Sequence, residues 1–265
     1  MGSTARKIFV EPRREQADTS SNYTFTYNAD AYVLEANITQ PLQETLEQGF
    51  LTLAADGAYQ TLAVKPFQLG NILSHQGGYA QVGGYENSQG EYVTFATAVI
   101  KGLNIFEILS ADRVVAQITT TMAPGESVQS VLFTGASIEN LKINGVSVPV
   151  TVNTSALGPK PAGGGSYFDS GNVPAGMAVS GDQLTGSILT PTTIPQIPQP
   201  SFGTVSLGKL TVTRKIPQGQ ADPKGKTGYV YDYRVEMIKV DLNGGGAEGC
   251  VGIAMADPNG TGNGG

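Results

Sequence analysis

Residues 229–242 read YVYDYRVEMIKVDL, and they follow GQADPKGKTG (219–228), which contains the Gly-Lys-Thr of a phosphate-binding loop. Such a loop places four residues between its first Gly and the Gly-Lys-Thr, then opens a helix whose amides face the anion. Here Gly219 and Gly225 enclose five residues, so the spacing is wrong. The following residues settle the matter. Tyr229, Tyr231, Tyr233 and Val235 fall on one side of the chain, and Val230, Asp232, Arg234 and Glu236 on the other. That period of two is a strand. The glycine-rich stretch therefore reads as a loop joining LGKLTVTRK (207–215) to this strand, and no nucleotide is expected at Lys226. Beyond Met237 the apolar phase moves to Ile238, Val240 and Leu242, which predicts a bulge or a change of packing partner.

The rest of the chain agrees with strands. Of 265 residues only 14% are charged, while 35 are Gly and 15 Pro, a composition suited to strands joined by many turns. SNYTFTYNADAYVLEANITQ (21–40) alternates, and FLTLAA (50–55) and YQTLAVKPF (59–67) are strand-like. HQGGYAQVGGYENSQGEY (75–92) offers tight turns at its glycine pairs. PLQETLEQG (41–49) is the one short-helix signal, with Pro41 at its start, Leu42 and Leu46 one turn apart, and Gly49 to stop it. YVTFATAVIKGLNIFEILSADRVVAQITTTM (92–122) is β-branched and Thr-rich. It predicts two long strands bent near Gly102 and Ser110–Asp112, in preference to a buried helix over 103–117. In SIENLKINGVSVPVTVN (137–153), Asn144-Gly145 predicts a two-residue hairpin pairing Ile143 with Val146 and Leu141 with Val148.

The expected fold is all-β: a two-sheet antiparallel sandwich or jelly-roll-like domain with at most one short helix. Residues 1–21 read as an arm, 22–243 as a single β domain and 244–265 as a glycine-rich tail. Within the domain, 156–201 is a Gly/Pro-rich excursion whose prolines 191, 195, 198 and 200 favour an extended path over a central strand.

Candidate chemistry is sparse. One Cys (Cys250) and one His (His75) exclude the usual zinc ligand sets, and no disulfide forms within the chain. His75, beside Gly77 and Gly78, reads as an exposed turn residue. Asp257, Asn259 and Thr261 occupy positions one, three and five of a calcium loop, but the chain ends before the position-twelve Glu, and a flexible tail is the expectation. Calcium is thus the one cofactor with any support, and none is expected. Tyrosines 79, 85, 229, 231 and 233 are candidates for contact with a ligand or partner. The net charge of −6, with no basic stripe, excludes a nucleic-acid binder, and no run of about 20 apolar residues spans a membrane. As written, the N-terminus turns polar after Val10, the expectation for a cytoplasmic protein; removal of a signal peptide would make it secreted or surface-located.

Three passages carry a family resemblance: FATAVIKGLNIFEILSADRVVAQ, the hairpin GASIENLKINGVSVPVTVN and the late strand YRVEMIKVDL. Together they span 92–242 and resemble the bacterial choice-of-anchor P family. The resemblance implies a β-rich exported protein with a variable C-terminal anchor and no attached enzymatic activity, and it brings no functional residues. The expected function is that of a non-catalytic structural or cell-envelope protein that self-associates through its β surface and extended termini. The alternatives are a glycan- or peptide-binding sandwich module and, third, a glycoside hydrolase-type enzyme.

Overall fold

A computed structural model describes residues 24–126, 128–162, 165–191, 203–215 and 230–263. The expected arm (1–21) and the 219–228 loop, with Tyr229 and Lys226, lie outside the described residues. In chain order the first strands are β1 (Thr24–Thr26), β2 (Ala29–Gln40), β3 (Glu44–Gln48), β4 (Leu51–Thr52), β5 (Ala58–Val64), β6 (Phe67–Leu69), β7 (Leu73–His75) and β8 (Gly77–Glu86). Next come β9 (Tyr92–Ile105), β10 (Leu109–Met122), β11 (Ser130–Leu132), β12 (Ser137–Glu139), β13 (Lys142–Ile143), β14 (Val146–Ser147) and β15 (Val150–Val152). The last are β16 (Ala178–Ser180), β17 (Gln183–Ser187), β18 (Leu189–Pro191), β19 (Gly203–Lys215), β20 (Val230–Gly244), β21 (Ala247–Pro258) and β22 (Thr261–Asn263).

Two large antiparallel sheets form. One has ten strands, with β14-β13-β10-β9-β7-β6 in order, β11 and β12 also against β10, and β8 between β9 and β5. The other has eight, β16-β17-β19-β20-β21-β2-β3, with β4 also beside β2. Strands β2 and β21 lie against β8, β9 and β10, so the sheets pack face to face. The shared core holds Val33, Leu34, Ile38 and Ile253 from one sheet and Val82, Ala98, Ile100 and Ile118 from the other, all fully buried. The molecule is an all-β sandwich.

The long strands keep one apolar face by resetting their alternation once. In β20 the buried side chains are Tyr231, Tyr233, Val235 and Met237, then Ile238, Val240 and Leu242. Pairing with β19 and β21 continues in one register past this point, so the sequence change at Met237 is a phase reset and not a bulge. The flanking strands reset opposite it, where Gly208 and Ala254 have φ of 59° and 50°. A left-handed residue interrupts the two-residue pleat, so the next buried position is one out of phase. In the other sheet Gly102 does the same at φ 57°: Ala96, Ala98 and Ile100 are buried before it, Leu103 and Ile105 after. Where bends were expected, at Gly102 and Ser110–Asp112, the strands change phase: opposite Gly102, β10 passes from buried Leu109 and Ala111 to buried Val114, Ala116 and Ile118. The chain reversal itself falls at Phe106–Ile108, where Phe106 and Glu107 take positive φ and Asn104 Oδ1 accepts from the Glu107 amide at 2.9 Å.

The Asn144-Gly145 hairpin forms as expected, with both residues at positive φ and Ile143 opposite Val146. Four other expectations are corrected. Residues 44–48 form strand β3 and no helix: in register with β2, Glu44, Leu46 and Gln48 are half-buried and Thr45 and Glu47 exposed, a period of two. The chain beyond Gly244 is no tail, because β21 sits between β20 and β2 in the middle of its sheet. Its glycines allow close backbone approach; a Cβ on Gly249 would strike the backbone of Asn37. The 156–201 excursion enters the core through Leu157, Tyr167, Leu184 and Ile188, and β17 joins the eight-stranded sheet. The glycine pairs of 75–92 lie inside β8, where Gly83 and Gly84 leave room for the rings of Phe95 and Tyr27. The turn comes later, at Asn87, whose Oδ1 accepts from the amides of Gln89 and Glu91.

Candidate functional site

The phase resets place a polar groove of about 510 Å³ on the outer face of the eight-stranded sheet. Its floor is built from side chains that alternate with the core positions of five strands. Asp232, Arg234 and Glu236 of β20 line it, and beyond the reset Lys239 lines it too. The polar face thus shifts phase with the apolar one. Beside them stand Tyr32 and Glu35 of β2, Gly252 and Asp257 of β21, and Lys209, Thr211 and Thr213 of β19.

At its centre Tyr32 lies nearly buried across Gly252, where a Cβ would meet the Tyr32 hydroxyl and the Glu236 carboxylate. The Tyr32 hydroxyl donates to Glu236 Oε1 at 2.8 Å and accepts from Arg234 Nη2 at 3.5 Å. The Arg234 guanidinium stands 5.9 Å from the centre of the Tyr32 ring. Burial, and then the Glu236 charge, hold the Tyr32 hydroxyl well above the ordinary phenol range. Lys215 pairs with Asp232, and Lys239 Nζ lies 3.1 Å from Asp241 Oδ1. Burial pushes the Asp257 carboxyl up to about 7, against the opposing pull of the hydrogen bond from Asn259. The groove therefore mixes both charge signs with hydroxyls, and Lys215, Asp232 and Lys239 are held in ion pairs within the sheet.

The candidates from the sequence separate. Asn259 is buried; its Oδ1 accepts from the Tyr233 amide at 2.9 Å and its Nδ2 donates to Asp257. Thr261 belongs to β22, opposite Thr26. Asn259 thus ties the end of β21 to β20 and holds Asp257 beside it, while Thr261 belongs to a separate strand pair. Tyr231 and Tyr233 are core residues, which removes them as ligand contacts. Tyr231 donates to Ser166 Oγ at 2.8 Å, and Tyr233 is fully buried near Tyr167. They point inward because the first half of β20 buries its odd positions. Tyr79 is half-buried in β8 and Tyr85 is exposed at the end of that strand.

His75 is also corrected: it is a buried residue of β7. Its Nδ1 accepts from the Gly77 amide at 3.0 Å, so Nε2 carries the proton and donates to Gln48 Oε1 at 2.7 Å. Burial holds its pKa below the ordinary value. The sequence carried one sign of the groove, the polar side of the 230–236 alternation. It carried none of the partners Tyr32, Lys209 or Gly252.

Fold and groove define an all-β protein with a groove of mixed charge on one sheet face. A family model described as Domain of unknown function (DUF8256) matches residues 25–174, more than half of the chain, and the chain belongs to that family. No curated protein and no solved structure matches.

Proposed function

We propose that the chain is a non-catalytic structural protein that self-associates through its β surface, an exported or cell-envelope component of the kind its resemblance implies. One observation carries this reading. Among the described residues the large apolar side chains left exposed are Leu42, Phe50, Tyr59, Leu62, Tyr85, Leu132, Val146 and Val179. Four of these eight fall within residues 42–62, the segment carrying β3 and β5. Among the described residues those strands end their respective sheets on one side of the sandwich, where β4 meets β5 and Gln48 of β3 reaches His75 of β7. Apolar side chains concentrated beside open edges favour association over solvation. Sedimentation velocity over a wide concentration range tests it. Oligomers growing with concentration are expected, and a strict monomer at the highest concentration would remove the reading.

The groove favours a second reading, a glycan- or peptide-binding module. Lys209, Thr211, Thr213, Thr185 and Gln183 line one wall with donors and acceptors that suit a polar, extended ligand. A glycan array and a peptide library probe it, and silence on both would dismiss it.

A further inference from the structure

We infer that β5 is the self-association edge, pairing antiparallel with β5 of a second copy about a two-fold axis at Thr61. The inference rests on the self-association reading and names its surface. Among the described residues β5 pairs with β8 and with no other strand. Its sequence, AYQTLAV, contains no charge and no proline, two of the usual protections of an edge. Tyr59 is 61% and Leu62 41% exposed. The charges stand just outside, with Asp56 before the strand and Lys65 after it, both exposed.

That arrangement is self-complementary. Pairing about Thr61 sets Ala58 opposite Val64, Tyr59 opposite Ala63 and Gln60 opposite Leu62. Lys65 then falls opposite Gly57 of the second copy, one residue from that copy's Asp56. Both charges lie outside the strand, Asp56 in the turn before the left-handed Gly57 (φ 82°), so strand alternation does not hold them on opposite faces, and the two-fold axis repeats the contact. The Tyr59 hydroxyl accepts from Gln81 Nε2 of β8 at 2.8 Å and its ring stands 6.1 Å from that of Phe95 of β9, so the ring leans inward over its own sheet and leaves the edge clear for Ala63 of the second copy. Two ion pairs thus frame an uncharged strand pair in a chain whose net charge of −6 would otherwise keep copies apart. The result is a continuous sheet running through both molecules.

Within one chain Asp56 and Lys65 lie at opposite ends of β5, about 30 Å apart at strand rise, so they cannot pair with each other. Charge reversal is therefore diagnostic. Sedimentation velocity should show dimers for the unaltered chain, about tenfold weaker association for Asp56→Lys and for Lys65→Asp, and recovery in the double variant. Thr61→Cys in a Cys250→Ser background should form a disulfide-linked dimer on oxidation. Oligomers insensitive to both reversals, without Thr61→Cys cross-links, would place the contact elsewhere and overturn the edge while leaving self-association standing. A monomer whose Thr61→Cys variant stays uncross-linked, with the N-terminal arm or another chain as the remaining occupant, would overturn both.

Discussion

His75 and Asp257 act on stability in opposite directions as pH changes. His75 is held neutral in the folded chain, so between its lowered folded pKa and the unfolded value near 6.5 the unfolded chain binds more protons. Its contribution to stability is therefore complete above that unfolded value and is lost as pH falls. Asp257, raised to about 7 from 3.8, does the reverse: its contribution is complete below about 4 and is lost as pH rises through 7. A shift of that size corresponds to about 4 kcal/mol at most. Each variant should expose the other group. Denaturation midpoints from pH 4 to 8 should rise with pH more steeply in Asp257→Asn than in the unaltered chain, and His75→Gln should show the opposite change in slope. Neither residue's environment was legible in the sequence. His75 sits among glycines that resemble a turn, and only the pairing of β6 and β7 encloses it.

At the scale of elements, a few left-handed residues carry the fold. Gly145 has φ 76°, and nothing lies within 4 Å of where its Cβ would be. Gly145→Ala should therefore cost conformational strain alone, about 1–2 kcal/mol. In urea the midpoint should fall with the slope unchanged, whereas a changed slope would mean that the hairpin had rearranged. The hairpin was legible because Asn-Gly is a local signal that needs no partner strand. The reset at Met237 was visible as a shift of apolar phase, but its cause was not. It depends on Gly208 and Ala254, which belong to β19 and β21. Residues 41–49 show the reverse case, in which a local helix signal yields to register with β2.

For the whole molecule, the family match ends at residue 174 while the second sheet does not. Within 25–174 the ten-stranded sheet is complete, but β2 lacks its neighbour β21, and Val235, Ile238, Val240 and Ile253 are missing from the core. A fragment of residues 24–174 should then retain strand content without fixed packing, binding a hydrophobic dye and losing its near-ultraviolet signal. Mixing it with residues 175–265 should restore both properties. A cooperatively folded fragment would show that the ten-stranded sheet needs no cover.

By itself the sequence determined the class of the fold and its local turns. Alternation in 229–242 and 92–122 and the Asn144-Gly145 pair act over a few residues, where backbone geometry alone decides. Only the tertiary structure decided which glycine-rich stretches became strands, which tyrosines turned inward and which polar residues share the groove. Glycine in β8 or β21 looks like a turn until an aromatic ring or a neighbouring backbone occupies the space its missing side chain leaves. Tyr32, Arg234 and Glu236 meet across about two hundred residues of chain, through strand pairing that no short window of sequence contains.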